Sequence, residues 1–348
     1  MPIIPVFGRH LRRGWNDMAV RIKDIAHDLG LSSMAVSKAL RGHADIGEET
    51  IRRVRKRAEE LDYRVDMVAR SMVTGRSFLV GLVVPDLMQS FFTEVAVALA
   101  NALGQDGYHV VIAHTNEDPA EEIAQISALE SRRVDGLIVA STQRDGAHLG
   151  HVRTPFVLID RLVPGLDVSW VGVDDEQIAQ FATGHLFDQG CRRIAHLRGP
   201  NLSTSEGRLA GYRKAIIAHG LPFDETLTCW SGHDEAGGRR AMVELLAHPA
   251  PPDGVVCFND PVAIGAMHAI LDVGLRVPDD IAVIGAANMR YSDALRISLS
   301  TIDQAAAKTG EDAARLLLAL MTADTVTANP TRIVQPTRLI ARASSVRQ

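Results

Sequence analysis

The chain has 348 residues, 46% of them hydrophobic, with 37 Lys+Arg against 42 Asp+Glu and three cysteines. That length supports two or three domains with real cores, and no apolar run reaches the roughly 18 residues that a membrane span needs. Cys191, Cys229 and Cys257 contain no C-x-x-C pair, which argues against a disulfide framework and for reduced, packed thiols with no metal and no cofactor.

Charge is unevenly spread. Residues 1–77 carry 15 Lys+Arg against 10 Asp+Glu, while residues 78–348 carry 22 against 32. A basic amino-terminal segment on an acidic body is the pattern of a polyanion-binding module joined to a domain of another purpose. Residues 1–17, "MPIIPVFGRHLRRGWND", contain Pro and Gly that argue against a packed element, and read as a disordered arm or a mis-assigned start. Their apolar stretch is too short for an export signal and its arginines follow it, so the chain is expected to stay in the cytoplasm.

Residues 18–64 read as a helical headpiece. "IKDIAHDLG" places Ile22, Ile25, Ala26 and Leu29 on one face, and Gly30 can end that helix in a left-handed turn. Ser32 or Ser33 can cap the next helix, in which Ala35, Val36, Ala39 and Leu40 turn inward while Ser33, Met34, Ser37, Lys38 and Arg41 stay outside. A third helix runs from "GEET" to Leu61, with Ile51, Val54, Ala58 and Leu61 inward. Two short helices on a tight Gly turn, braced by a third, make a helix-turn-helix whose second helix lies in a DNA major groove. The alternative is a small bundle with a solvated cationic face.

Residues 65–77 follow as a hinge and linker. "YRVDMVARSMVTGRS" puts Val65, Val68, Ala69 and Met72 on one side of a helix of about two turns, too short to persist alone in water. A minor groove can order it, with Met72 as an apolar wedge at a base step and Ala69 beside it, and a linker helix docked on the body is the alternative.

From residue 78 to 348 strand-like runs such as "FLVGLVVPD", "VDGLIVAS", "FVLID" and "DGVVCFND" alternate with amphipathic helical stretches. Strand and helix alternating in this way make an α/β fold of parallel sheets covered on both faces. The series is too long for one sheet, so two doubly wound lobes with a cleft beyond the strand ends are expected. Polar residues just after strands are candidates for that cleft: Asp86, Asp160 with Arg161, Asp174 with Asp175, Asn259 with Asp260, and Asn288. Phe91 and Phe92 are placed to stack on a ligand ring, with core packing as the alternative.

From about Val20 to about Ser344 the chain resembles the LacI/GalR (lactose-repressor) family of bacterial transcription regulators. The resemblance rests on "VRIKDIAHDLGLSSMAVSKALRG", "YRVDMVARSM", "GRLAGYRKA", "VVCFNDPVAIGA", "GLRVPDDIAVIGAAN", "LSTID" and "LIARASS". It implies a helix-turn-helix headpiece and hinge helix followed by a two-lobed, periplasmic-binding-protein-like body. It also implies a homodimer on near-palindromic operator double-stranded DNA, without a membrane role. Carried over, Ser33 and Met34 discriminate bases, Ser32, Ser37 and Lys38 contact DNA, and Met72 stands for the wedging leucine. In the cleft, Arg208 and Asn259 bond effector hydroxyls, with Asp160, Asp174 and Thr204 nearby.

Three crossings between lobes are expected, near Asp174, Gln304 and Thr325. They divide the body into lobe 1 (78–173 and 305–324) and lobe 2 (174–304 and 325–348). The family's hinge Pro-Asn appears here as Val65-Asp66, and Ala287 replaces an aspartate that many relatives keep. Leu202 stands where a purine-binding member has an arginine, which argues against a purine effector. Arg161, with no acid at 287, favours an acidic or phosphorylated sugar over a neutral one.

A Rossmann-type enzyme would need G-x-G-x-x-G after the first strand, and "GLVVPDLMQS" lacks it. His148 and His151 have no supporting acidic or Cys partner and read as surface residues. A sugar-binding protein without a DNA role, cytoplasmic or exported, would share the body and lack the headpiece. The reading adopted is a repressor, not an enzyme, in which cleft closure and DNA contact bias one two-state element.

Overall fold

The computed structural model describes residues 20–64, 67–322 and 329–347, and of residues 67–69 the backbone alone. The expectations for residues 1–17, for Val65, Asp66 and the Ala69 side chain, and for residue 325 itself lie outside the described residues. The chain divides into two compact units between Gly75 and Arg76.

The first unit contains α1 (Ile22–Leu29), α2 (Ser33–Leu40), α3 (Glu48–Glu60) and α4 (Met67–Thr74). Gly30, at φ 64°, ends α1 in the left-handed conformation that only a residue without Cβ adopts freely. Ser32 is the cap of α2, its Oγ accepting the Ala35 N–H at 3.1 Å. Ile25, Ala26, Val36, Ala39, Val54 and Ala58 form the buried core, whose three alanines let the helices approach closely. Arg57 of α3 ties back to α1 through Asp28, Nε to Oδ2, at 2.9 Å.

The second unit has two lobes. Lobe 1 is built from β1 (Leu79–Val84), α5 (Ser90–Gly104), β2 (His109–His114), α6 (Pro119–Ser131), β3 (Gly136–Val139), β4 (Phe156–Ile159) and β5 (Trp170–Val173). Lobe 2 is built from α7 (Asp175–Asp188), β6 (Ile194–Arg198), α8 (Ser203–Ala218), β7 (Thr228–Trp230), α9 (Glu235–Leu246), β8 (Gly254–Cys257), α10 (Asp260–Asp272), β9 (Ala282–Ile284) and β10 (Thr301–Asp303). The chain then returns through α11 (Ala306–Thr322), β11 (Arg332–Gln335) and β12 (Arg338–Ile340).

The lobe 1 sheet has the parallel order β11-β5-β4-β3-β1-β2, and the lobe 2 sheet the parallel order β7-β6-β8-β9. Period-two alternation fills both faces: Val80, Leu82 and Val84 of β1 pack with α5 and α11, while Val83 faces the cluster that contains Ile126 and Leu129 of α6. On β6, Ala195 and Leu197 face α9 and α10, and Ile194 faces α7 and α8. Cys191, Cys229 and Cys257 are free and buried.

The chain crosses between lobes after β5, between β10 and α11, and between β11 and β12. The third crossing corrects the expectation of one near Thr325. β11 still belongs to the lobe 1 sheet, parallel to β5, and β12 pairs antiparallel with β10. Two short apolar runs, "RIVQ" and "RLI", lie either side of Pro336-Thr337, and each extends a different sheet. No helix among the described residues is long and apolar enough to cross a membrane.

Candidate functional site

In the first unit, α2 presents Ser33, Met34, Ser37 and Arg41 on its outer face, and Met34 is 71% exposed. Two expected DNA contacts are already engaged. The Ser32 oxygen caps its own helix, and the Lys38 ammonium pairs with the Asp45 carboxylate. On α4, Met72 and Val73 are 83% and 85% exposed, adjacent apolar side chains on a two-turn helix.

In the second unit, polar side chains from both lobes meet at the carboxyl ends of the strands. Asp160 ends β4 in a three-residue turn: its φ is 60°, and the Arg161 N–H donates to the Ile159 carbonyl at 2.6 Å. Such a left-handed conformation is strained for a non-glycine residue, and strain of this kind concentrates where a side chain must be aimed. Asp160 is only 9% exposed and accepts no hydrogen bond from any described residue, its nearest cation being Arg161 Nε at 3.7 Å. Burial pushes its carboxyl above the usual range, partly offset by Arg161 and Arg208.

Arg208, on α8, is buried and locked. Its Nε donates to Asp175 Oδ1 at 2.9 Å, its Nη1 donates to the Phe258 carbonyl, and its guanidinium lies 4.6 Å over the Phe258 ring. Nη2 has no protein partner among the described residues. Burial, with the Asp160 charge adding to it, raises the Asp175 carboxyl to about 7 against the opposing pull of Arg208. Contacts between the lobes surround this centre: Leu162 N–H to Ser203 Oγ at 2.9 Å, Arg144 to Glu206, and His233 Nε2 to Asp86 at 4.0 Å.

Several expected site residues have other work. Asp174 is exposed and caps α7, accepting Gln177 N–H at 3.0 Å, so Asp175 and not Asp174 faces the arginine. Phe91 and Phe92 lie in the lobe 1 core, edge to face at 5.2 Å, and offer no free ring face for stacking. Asn259 caps α10 through Val262 N–H and donates to the His233 carbonyl, both at 2.9 Å. Asn288 accepts from Arg342 Nη2 at 2.9 Å, and Thr204 is buried in the first turn of α8. Arg161 is not a free cation, because Glu117 holds it with two hydrogen bonds of 2.6 and 2.8 Å.

Comparisons with known proteins decide the family. Residues 183–345 match the periplasmic binding protein-like domain. The ribose operon repressor of Halalkalibacterium halodurans is 30% identical over 298 residues, 85% of this chain and 89% of that protein. The probable HTH-type transcriptional repressor ExuR of Bacillus subtilis is 30% identical over 334 residues, 93% of this chain and 98% of that protein. The chain belongs to the LacI/GalR family.

Solved structures of transcription regulators share the architecture. A transcriptional regulator CelR–cellobiose complex matches with TM-score 0.71 at 27% identity, covering 93% of this chain and 99% of that one. The lac repressor dimer bound to operator and anti-inducer matches with TM-score 0.84 at 24% identity, a likeness of fold, covering 94% and all of that chain.

Two features of this LacI/GalR regulator escape a reading of its sequence. Trp230, at the carboxyl end of β7, is half exposed with the Arg198 guanidinium 4.2 Å over its ring. A three-residue strand, "TCW", gives too little alternation to be found in advance. His148 is not a surface residue: its Nε2 lies 2.7 Å from buried Glu122, which also accepts from Ser141 Oγ and Thr142 Oγ1. Burial pushes the Glu122 carboxyl up, and these hydrogen bonds outweigh it and hold it below the usual range. The pair is 26 residues apart in sequence, with no local signal to join them.

Proposed function

We propose that the protein is a sequence-specific transcriptional repressor whose hold on operator DNA is set by a small, hydroxyl-rich effector bound between the lobes of a homodimer. The observation that carries this is the coexistence, in one chain, of an exposed helix-turn-helix face and a buried polar centre shared by two lobes. Asp160 comes from lobe 1, and Arg208 with Asp175 from lobe 2. A guanidinium held on two sides and open on the third suits vicinal hydroxyls. The names of relatives point the same way: one is a ribose operon repressor, and one neighbour is a complex with cellobiose. Ser33, Met34, Ser37 and Arg41 are assigned to the major groove, and Met72 to the minor groove.

Closing the lobes on a ligand shifts the amino-terminal segments of a dimer relative to each other, so ligand and DNA bias the same equilibrium. Met72→Ala tests the DNA half. It should weaken binding to the promoter upstream of the protein's own gene by about tenfold, the cost of losing an apolar wedge, with effector affinity unchanged. Gel retardation and calorimetry read the two quantities. Equal retardation by variant and wild type would remove Met72 from the interface, and no retardation by either would favour a sugar-binding protein without a DNA role.

A further inference from the structure

The outer face of α2 carries an anion beside its cations. Met34, Lys38 and Arg41 follow one another at i, i+4 and i+7, which sets them in one stripe along the helix. Gly42, at φ 68°, turns the chain back after α2. The turn is closed by the His43 N–H donating to the Lys38 carbonyl and the Ile46 N–H donating to the His43 carbonyl, both at 3.1 Å. Ile46 packs against the headpiece core, so its neighbour Asp45 is held with its carboxylate outward, against the stripe. There Lys38 Nζ donates to Asp45 Oδ2, and Asp45 Oδ1 lies 3.5 Å from His43 Nδ1. Both side chains stay partly solvated, Lys38 34% and Asp45 51% exposed, and the hydrogen bond from the lysine holds the Asp45 carboxyl below its usual range.

We infer that Asp45 is a specificity-determining residue of the headpiece: it withholds Lys38 from the phosphate backbone and leaves the lysine for a base edge. The inference rests on the DNA-binding reading above and adds to it a residue that lies between α2 and α3, on neither helix. Sequence-independent binding grows with the number of phosphates that lysine and arginine neutralise. An ion pair has no net charge, so toward a phosphate the attraction of the ammonium and the repulsion of the carboxylate largely cancel. Guanine O6 and N7 are neutral acceptors, and two of the three ammonium N–H groups remain to meet them. The pair therefore lowers affinity for DNA at large and lowers it much less at a guanine in the operator. Discrimination of this kind comes from a repulsive element against the wrong partner as much as from attraction to the right one.

The test uses the full-length protein with two DNA probes of equal length: the fragment upstream of its own gene, and a shuffled sequence of the same composition. Fluorescence anisotropy between about 50 and 200 mM salt reads wild type, Asp45→Asn, Lys38→Gln and the double variant. Asp45→Asn should bind the shuffled probe about tenfold more tightly at the lower salt, with the slope of log affinity against log salt steeper by about one per headpiece. Its preference for the upstream fragment should fall by a comparable factor. In the Lys38→Gln background the same change should leave the slope as it was, because no ammonium is released. Asp45→Ser repeats the measurement if Asp45→Asn does not fold. A folded variant with unchanged slope or unchanged preference overturns the inference. So does an equal effect of Asp45→Asn with and without Lys38, which would make the carboxylate a bulk charge. Wild type that holds the two probes equally, or holds neither, overturns the sequence-specific DNA reading itself and this inference with it.

Discussion

Arg208→Ala should abolish the effector response while leaving operator binding in place. The side chain has two roles, and its loss should show in both. Toward ligand it offers charge-assisted hydrogen bonds worth roughly 1.5–3 kcal/mol each, so effector affinity should fall by about a hundredfold or more. Toward the fold it is the partner of buried Asp175. Removing one member of such a pair costs about 3–5 kcal/mol, a fall in Tm on the order of 10 °C for the effector-binding unit. The Asp175 carboxyl already sits at about 7 in the folded protein against 3.8 as its ordinary value, and without Arg208 it rises further. A raised folded-state pKa contributes stability that is lost as pH rises; wild type and Arg208→Ala lose it alike from about pH 4 to pH 7, and the deficit of the variant should widen from about pH 7 upward, where only its carboxyl stays protonated in the folded protein. The double variant Arg208→Ala/Asp175→Asn should recover the melting temperature and not the response. Scanning calorimetry with operator titration separates these outcomes, and a surviving response in Arg208→Ala would move the effector site elsewhere.

The second large effect belongs to the other unit. Val36→Asp places a carboxylate at a fully buried position in a core of six small and medium side chains. Burying an unpaired charge costs several kcal/mol, comparable to the whole stability of a domain this small. The headpiece should unfold and operator affinity should fall by more than about a hundredfold at physiological salt, where helix and phosphate contacts supply most of the binding. Because the chain divides at Gly75–Arg76, the shift in melting temperature produced by an effector sugar should remain. Retained operator binding by this variant would show that DNA recognition does not depend on the α1–α3 core.

The sequence carried most of the architecture because the periodicities are strong where burial is complete. The run "LVGLVV" and the Gly30 turn are local signals, and they are sufficient. Short elements failed that standard: "WVGV" is four residues of lobe 1 sheet, and "RIVQ" looks no different from "RLI", although they join different sheets. Within the cleft, residue type was legible and partnership was not. Asp174 and Asp175 are adjacent acids at a helix start, and which one caps the helix and which reaches Arg208 depends on a turn of about 100° per residue. The Glu117–Arg161 and Glu122–His148 pairs join residues 44 and 26 positions apart, and only the fold brings them together. Phe91 and Phe92 carry the same ambiguity in reverse, since an aromatic pair after a strand serves a core as well as a ligand.

The central claim is that occupancy of the cleft and grip on DNA are one equilibrium. Its most direct measurement is a reciprocal titration: operator affinity across concentrations of the sugar that most raises Tm, and sugar affinity with and without saturating operator. The account predicts that each shifts the other by the same factor, as linkage requires. An operator affinity that stays constant up to saturating sugar would contradict it.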